Sequence, residues 1–199
     1  MPAVNPVVTE ALQEARTALD ALLTNEAALR SIGEAGRLLA ACFGRGNRVY
    51  SCGNGGSMCD AMHFAEELSG RFRLDRPALP ATAIGDAGHL TCVANDYGFD
   101  HIFSRYVEAH GRAGDCLLAI STSGASSNIA KAAEAARAAG LSVIALTGRS
   151  DSALGALADI DICTPVGRFS DRVQELHIKV VHILIELVER ELYPENYRD

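Results

Sequence analysis

Apolar positions at the start of the chain recur with a helical period. Val8, Leu12, Ala15, Leu19 and Leu22 follow a 4-3-4-3 spacing, which lines one narrow stripe of a helix over 5–23. Thr24 and Asn25 suit the cap of a second helix, in which Leu29, Ile32, Leu39 and Phe43 repeat the period up to Gly44 and Gly46. So narrow a stripe favours a helix–helix contact. These two helices precede the rest of the pattern and are expected either to cover a sheet or to pack against another subunit.

From Arg48 onward, short apolar runs alternate with longer amphipathic ones. Residues 49–52 read as a buried strand and 57–69 as a helix; 81–84 form a weak second strand. Residues 87–109 read as helical, with a break over 96–100. Strands follow at 116–120, 142–146 and 160–163, separated by an Ala-rich helix over 127–139 and a short helix over 151–157. A long helix over 171–192 closes the chain. Strands separated by helices imply α/β architecture: a parallel five-stranded sheet with helices on both faces and right-handed crossovers. The expected organisation is one domain over 1–199, with a helical pair at 1–46 and an α/β core at 47–199. Ligands of such sheets sit beyond the carboxyl ends of the strands, where strand order reverses. That directs attention to 53–57, 85–86, 121–127, 147–148 and 165–169.

Two of these loops carry chemistry. Gly53, Gly55 and Gly56 allow a close backbone approach to a ligand. Ser57 with Asp60 three residues on resembles a capping box at a helix start, and a helix N-terminus beneath a glycine turn suits an anion. Ser121, Thr122, Ser123, Ser126 and Ser127 surround Gly124 between a strand and a helix, so neutral hydroxyl donors can wrap a phosphate there. The first loop lacks the lysine of GxxxxGK[ST] and the spacing of GxGxxG, which favours a small phosphorylated metabolite over a nucleotide.

His63 and Glu67 stand at i, i+4, within reach of a shared metal or proton, although the same spacing also describes a solvated pair. On the last helix, Glu175, Lys179, His182, Glu186 and Glu189 fall on one polar arc. His177 points into the apolar side as a core histidine, and Asp171 with Gln174 resembles another helix cap.

Composition narrows the function classes. A formal charge of −7 with no Lys/Arg block argues against a nucleic-acid partner. No apolar run reaches ~18 residues and no signal pattern opens the chain, so the expected location is cytoplasmic, without a membrane partner. Six cysteines without a CxxC pair read as reduced and buried.

Four blocks taken together resemble the phosphoheptose isomerase family of sugar-isomerase (SIS) domains: 51–57 with 60–67, then 95–99, 121–124 and 172–182. The resemblance implies a flavodoxin-like doubly wound fold and N-terminal helices used in oligomerisation. It implies isomerisation of sedoheptulose 7-phosphate to a heptose 7-phosphate for lipopolysaccharide, a homotetramer with sites at subunit contacts, and one Zn2+ per subunit. Carried over by position, the zinc ligands are His63, Glu67, Gln174 and His182, and Glu67 and His182 are catalytic. Substrate contacts are Asn54, Gly55, Gly56, Ser57, Glu67, Arg71, Asn95, Asp96, Ser121, Thr122, Ser123, Ser126 and Gln174. On one regular helix, Gln174 and His182 lie roughly 12 Å apart along the axis and about 80° around it, which points to a pocket at a subunit contact. Some relatives of the family are non-catalytic tetramers that grip the replication initiator protein. The presence of all four implied ligands favours the enzyme.

Overall fold

A computed structural model describes residues 5–164, 167 and 169–198. Two antiparallel-capable helices come first, α1 (Pro6–Thr24) and α2 (Glu26–Gly44), joined by Asn25, whose side chain accepts from the Ala28 amide to cap α2. The core then alternates: β1 (Val49–Gly53), α3 (Gly56–Ser69), β2 (Ala81–Ala83), α4 (Ala87–Tyr97) and α5 (Ser104–His110). It continues with β3 (Cys116–Ser121), α6 (Ser127–Ala138), β4 (Ser142–Thr147), α7 (Ala153–Leu157), β5 (Ile160–Cys163) and α8 (Ser170–Leu192). Single 3-10 turns follow α4 (Phe99–His101) and α8 (Pro194–Tyr197). The expected break in the 87–109 helix is the Gly98 turn, where φ is +88°.

All five strands are parallel, in the order β2-β1-β3-β4-β5. This is the flavodoxin-like order, whose reversal lies between β1 and β3. Strand periodicity sorts the core into two halves, because successive side chains point to opposite faces. Val49, Leu118, Ile120, Ile144 and Leu146 face α2, α3 and α8. On the other face, Tyr50, Leu117, Ala119, Val143 and Ala145 meet α5 and α6.

α1 is only half used. Ala18 and Leu22 are buried, whereas Val7, Val8 and Leu12 are exposed at 64, 53 and 67%. The narrow stripe read from the sequence therefore runs past its intrachain partner.

Several local expectations are corrected. Ser57 does not cap α3: Gly55 occupies the cap position at φ +56°, with no side-chain cap, and Ser57 is buried. Ser57 is already the second residue of α3, past the position from which a side chain caps the helix. Asp171 does not cap α8 either, since the cap position is Phe169. Glu189 leaves the polar arc and is buried on Arg76. Cys42, Cys52 and Cys116 are buried, but Cys59 and Cys92 are exposed on the outer sides of α3 and α4; all six are free thiols. Of the 165–169 loop, residues 165, 166 and 168 lie outside the described residues. No helix among the described residues is long and apolar enough to cross a membrane.

Candidate active site

From the reversal point, β1 connects outward to β2 while β3 connects to β4 on the other side. The loops after β1 and β3 therefore flank the crevice where such sheets bind ligands. Asn54 and Asn128 tie the two loops together: each side-chain amide donates to the other's carbonyl at 2.9 Å. Asn54, an expected substrate contact, thus directs its amide at this pair. Asn128 was missed, because an Asn in the first turn of a helix is ordinary there and nothing local points to its pairing with Asn54. Beside this junction lies a cavity of about 300 Å³, bordered by Asn54, Gly55, Met58, Leu90 and Phe99.

The serine-rich loop is held open from within. Ser121 Oγ accepts from the Gly124 amide at 3.2 Å and lies 3.2 Å from Ser126 Oγ, and Ser123 Oγ accepts from the Ala125 amide at 3.2 Å. Gly124 has φ +62°, and a Cβ there would stand 2.3 Å from Ser152 Cβ, so only glycine fits. Ser126 occupies the cap position of α6, but its side chain makes no cap bond. The first turn of α6 therefore lacks a side-chain cap from Ser126 and carries the positive end of the helix dipole, while Ser127 Oγ at its start donates to Asp100 Oδ1. Such an end binds a phosphate.

α3 and α8 bring together residues 119 positions apart: His63 Nε2 lies 2.9 Å from His182 Nε2. Glu67 Oε1 is 3.5 Å from His63 Nε2, and Glu66 Oε1 is 3.2 Å from His63 Nδ1. The spacing i, i+3 and i, i+4 on α3 explains this convergence, because all three side chains share one face. Glu66 was not predicted, although it lies in the same stretch. The Phe72 ring covers His182 at a centroid distance of 5.7 Å. Burial, and then the neighbouring His63, lower the His182 pKa and favour the neutral ring. One turn earlier, Asp60 is half-buried with Oδ2 lacking a partner, and burial pushes its carboxyl up to about 6.

The donors fit a divalent ion. His63, Glu66 and Glu67 offer ligand atoms within 4.8 Å of one another. Bonds of ~2.1 Å in a tetrahedral site separate neighbouring ligands by about 3.3 Å, close to the His63–His182 and His63–Glu67 spacings. Gln174 stands apart. A Cβ at Gly56 would lie 2.5 Å from Gln174 Nε2, so this amide packs at the start of α3. His63 is seven residues further on, roughly 10 Å along the axis. A single chain therefore brings both Glu67 and His182 to His63 Nε2, groups His63 with Glu66 and Glu67 as mutually close donors, and places Gln174 against the glycine loop.

The remaining expected contacts are dispersed. Arg71 is exposed in the segment after α3, and Asn95 and Asp96 are exposed at the end of α4, where Asn95 Nδ2 donates to Asp96 Oδ1 at 2.7 Å. Asp86 caps α4 through the His89 amide. Thr147 is buried, its hydroxyl donating to Asp161 Oδ1 at 2.8 Å.

An anion loop at the reversal point, tied through Asn54 and Asn128 to the strand that launches the His/Glu helix, is the arrangement of a sugar-phosphate-handling α/β protein. The SIS domain family profile matches residues 4–148, and the chain belongs to the SIS domain family. Within that family it falls among the phosphoheptose isomerases. It is 56% identical to the phosphoheptose isomerase of Enterobacter sp. (strain 638) over 186 residues, 94% of this chain and 97% of the relative. The structure of phosphoheptose isomerase GmhA from Neisseria gonorrhoeae superposes with a TM-score of 0.86 at 36% identity, covering 94% of this chain and 99% of that one. A phosphoheptose isomerase from Francisella tularensis gives a TM-score of 0.87 at 35% identity, with 93 and 97% covered. The chain is an isomerase of this group.

Proposed function

We propose that the protein interconverts D-sedoheptulose 7-phosphate and D-glycero-D-manno-heptose 7-phosphate through an enediol. In this reading residues 1–199 act as one SIS domain in a cytoplasmic homotetramer that supplies heptose for lipopolysaccharide. The observation that carries the proposal is that Glu67 and His182, from two helices, both approach His63, on the helix that the glycine turn after β1 launches.

The phosphate is assigned to Ser121, Thr122, Ser123 and Ser126 together with the first-turn amides of α6. Binding energy from this non-reacting end fixes C1 and C2 relative to α3. Gly55, Gly56 and Ser57 form the wall along the sugar, with Asn54 and Gln174 supporting it. Arg71, Asn95 and Asp96 complete the contacts from the exposed edge, which suits a pocket at a subunit contact.

Glu67 is the base. Its carboxylate takes the proton from C1 of the ketose as the C1–C2 double bond of the enediol forms, and the same carboxyl returns the proton to C2. His182 moves the hydroxyl proton from O1 to O2; a neutral imidazole, which burial favours here, both accepts and donates. Zinc held by His63, Glu67 and His182 would act as a Lewis acid on the carbonyl oxygen; Gln174, the fourth ligand that the resemblance implies, lies against Gly56 within one chain. One nitrogen of His182 cannot bind an ion and carry a proton together, so metal dependence of the rate separates its two roles.

The test is to incubate the protein with sedoheptulose 7-phosphate, with chelator and with added Zn2+, and to follow aldose formation. Turnover is expected in the wild type. Glu67→Gln and His182→Gln should each lower kcat by at least ~100-fold with the assembly intact. No turnover by the wild type under any metal condition overturns the activity, and a near-native rate in either variant overturns that residue's role.

A further inference from the structure

α3 carries its reacting carboxylate in its last turn, the part of a helix whose carbonyls lack intrahelical partners. No basic residue of α3 itself occupies that turn. Backbone amides supply part of the missing donors, from Gly70 to the Glu66 carbonyl at 2.7 Å and from Leu79 to the Leu68 carbonyl at 3.0 Å, and Arg76, in the segment that follows, supplies the rest. Its Nη2 donates to the Glu67 carbonyl at 2.7 Å, and its Nη1 donates to the carbonyls of Leu68 at 2.7 Å and Gly70 at 3.0 Å. Its Nε donates to Glu189 Oε1 at 2.9 Å, and both side chains are only 1% exposed.

A second layer holds this fork. The Tyr197 hydroxyl donates to Glu189 Oε2 at 2.7 Å, and its ring lies under the Arg190 guanidinium at 4.4 Å. Asn196 Nδ2 donates to the Asp75 carbonyl at 3.0 Å. The C-terminal turn is thereby fastened to the segment that carries Arg76 and to α8, the helix that carries His182.

We propose that Arg76 is the positioning residue for the catalytic turn of α3, oriented by Glu189 and, through it, by Tyr197 of the C-terminal turn. The inference rests on the reading that Glu67 and His63 belong to the reacting cluster. Stability alone does not require this device, because a buried ion pair is often matched or exceeded by apolar residues of similar volume. A planar fork is needed to reach three carbonyls while its third nitrogen stays on a carboxylate. Losing it leaves only the Gly70 and Leu79 amides on the carbonyls of Glu66 and Leu68 and loosens the Glu67 end of the turn, and with it the Glu67 carboxylate relative to His182.

Arg76→Lys separates positioning from charge. Lysine retains the buried cation for Glu189 but lacks the fork. We expect Arg76→Lys to fold, to lose roughly 10- to 100-fold in kcat with KM for the sugar phosphate within about threefold, and to bind Zn2+ more weakly in a chelator competition without substrate. Tyr197→Phe, which removes one hydroxyl, is expected to lower kcat by about two- to fivefold, also at constant KM. A folded Arg76→Lys with native kcat and Zn2+ affinity overturns the inference. If Arg76→Lys does not fold, native kcat in Tyr197→Phe overturns it. Glu67→Gln is the control: a near-native rate there removes the reading of the site itself, whereas inactive Glu67→Gln beside native Arg76→Lys removes only the positioning role.

Discussion

His177 and His182 lie five residues apart on α8 and meet opposite environments. Five residues rotate about 140° around a helix, which turns His177 into the sheet and His182 toward α3. His177 is fully buried, and its Nε2–H donates to the Thr147 carbonyl at 3.2 Å. Burial lowers its pKa from 6.5 to about 4, while the hydrogen bond opposes the shift. The unfolded chain therefore binds the proton more readily than the folded one, so this histidine's stabilising contribution is complete above pH 6.5 and is lost as pH falls toward 4. Asp60 acts with the opposite sign. Its folded pKa is raised from 3.8 to about 6, so its contribution is lost as pH rises through that interval. Comparing wild type with His177→Gln isolates the histidine, since glutamine can still donate to Thr147. Between pH 6.5 and 4 the wild type should lose on the order of 3 kcal/mol more stability than the variant, measured by urea unfolding. Equal pH slopes would remove His177 from the linkage. The sequence distinguished these two histidines by helical phase alone, but the Thr147 carbonyl that accepts from His177 Nε2 is set by how α8 lies on β4, and His177 Nδ1 stays without a partner.

Among elements, α1 is the least satisfied by its own chain. Its amphipathic period was legible because apolar spacing is a local property, and so was the start of α2 at Asn25. What the sequence could not show was how much of the stripe α8 covers. Ala18 and Leu22 are buried while Val8 and Leu12 stay exposed, and the proposed homotetramer would cover that first half with another copy of the chain. Leu12→Glu keeps helix propensity while placing a charge in that contact. It should reduce the mass measured by size exclusion with light scattering and leave the far-ultraviolet circular dichroism unchanged. An unchanged mass would take this half of α1 out of the assembly contact. The cap assignments failed for a related reason. Ser57 and Asp171 carry the right side chains at the right spacing, yet each is the second residue of its helix, because the chain enters α3 at Gly55 and α8 at Phe169. A capping pattern states a local preference, and where the helix starts is set by how the preceding chain leaves the sheet.

Over the whole molecule, the His63–Glu67–His182 cluster is a junction between α3 and α8. An ion bound there ties two helices on the same face of the sheet, and it binds the folded state in preference to the unfolded one. With Zn2+ at ~100 times its Kd, about 2.7 kcal/mol of stabilisation is expected. For a chain of this size that raises Tm by roughly 5–10 °C. Differential scanning fluorimetry with Zn2+ and with chelator should show this rise in the wild type and not in His63→Ala. An equal rise in both would move the ion elsewhere. At this scale local patterns along the chain specify the order of elements, the parallel sheet, the two loops at its carboxyl edge and the His/Glu pair on α3. Those follow from periodicity, turn chemistry and i, i+4 spacing, which operate over a few residues. Only the tertiary structure decided that His182 meets His63 while Gln174 turns to Gly56, that Asn54 pairs with Asn128, and that Arg76 closes the end of α3. These contacts join residues up to 119 positions apart, and their partners are chosen by where the sheet places each helix, which no local pattern encodes.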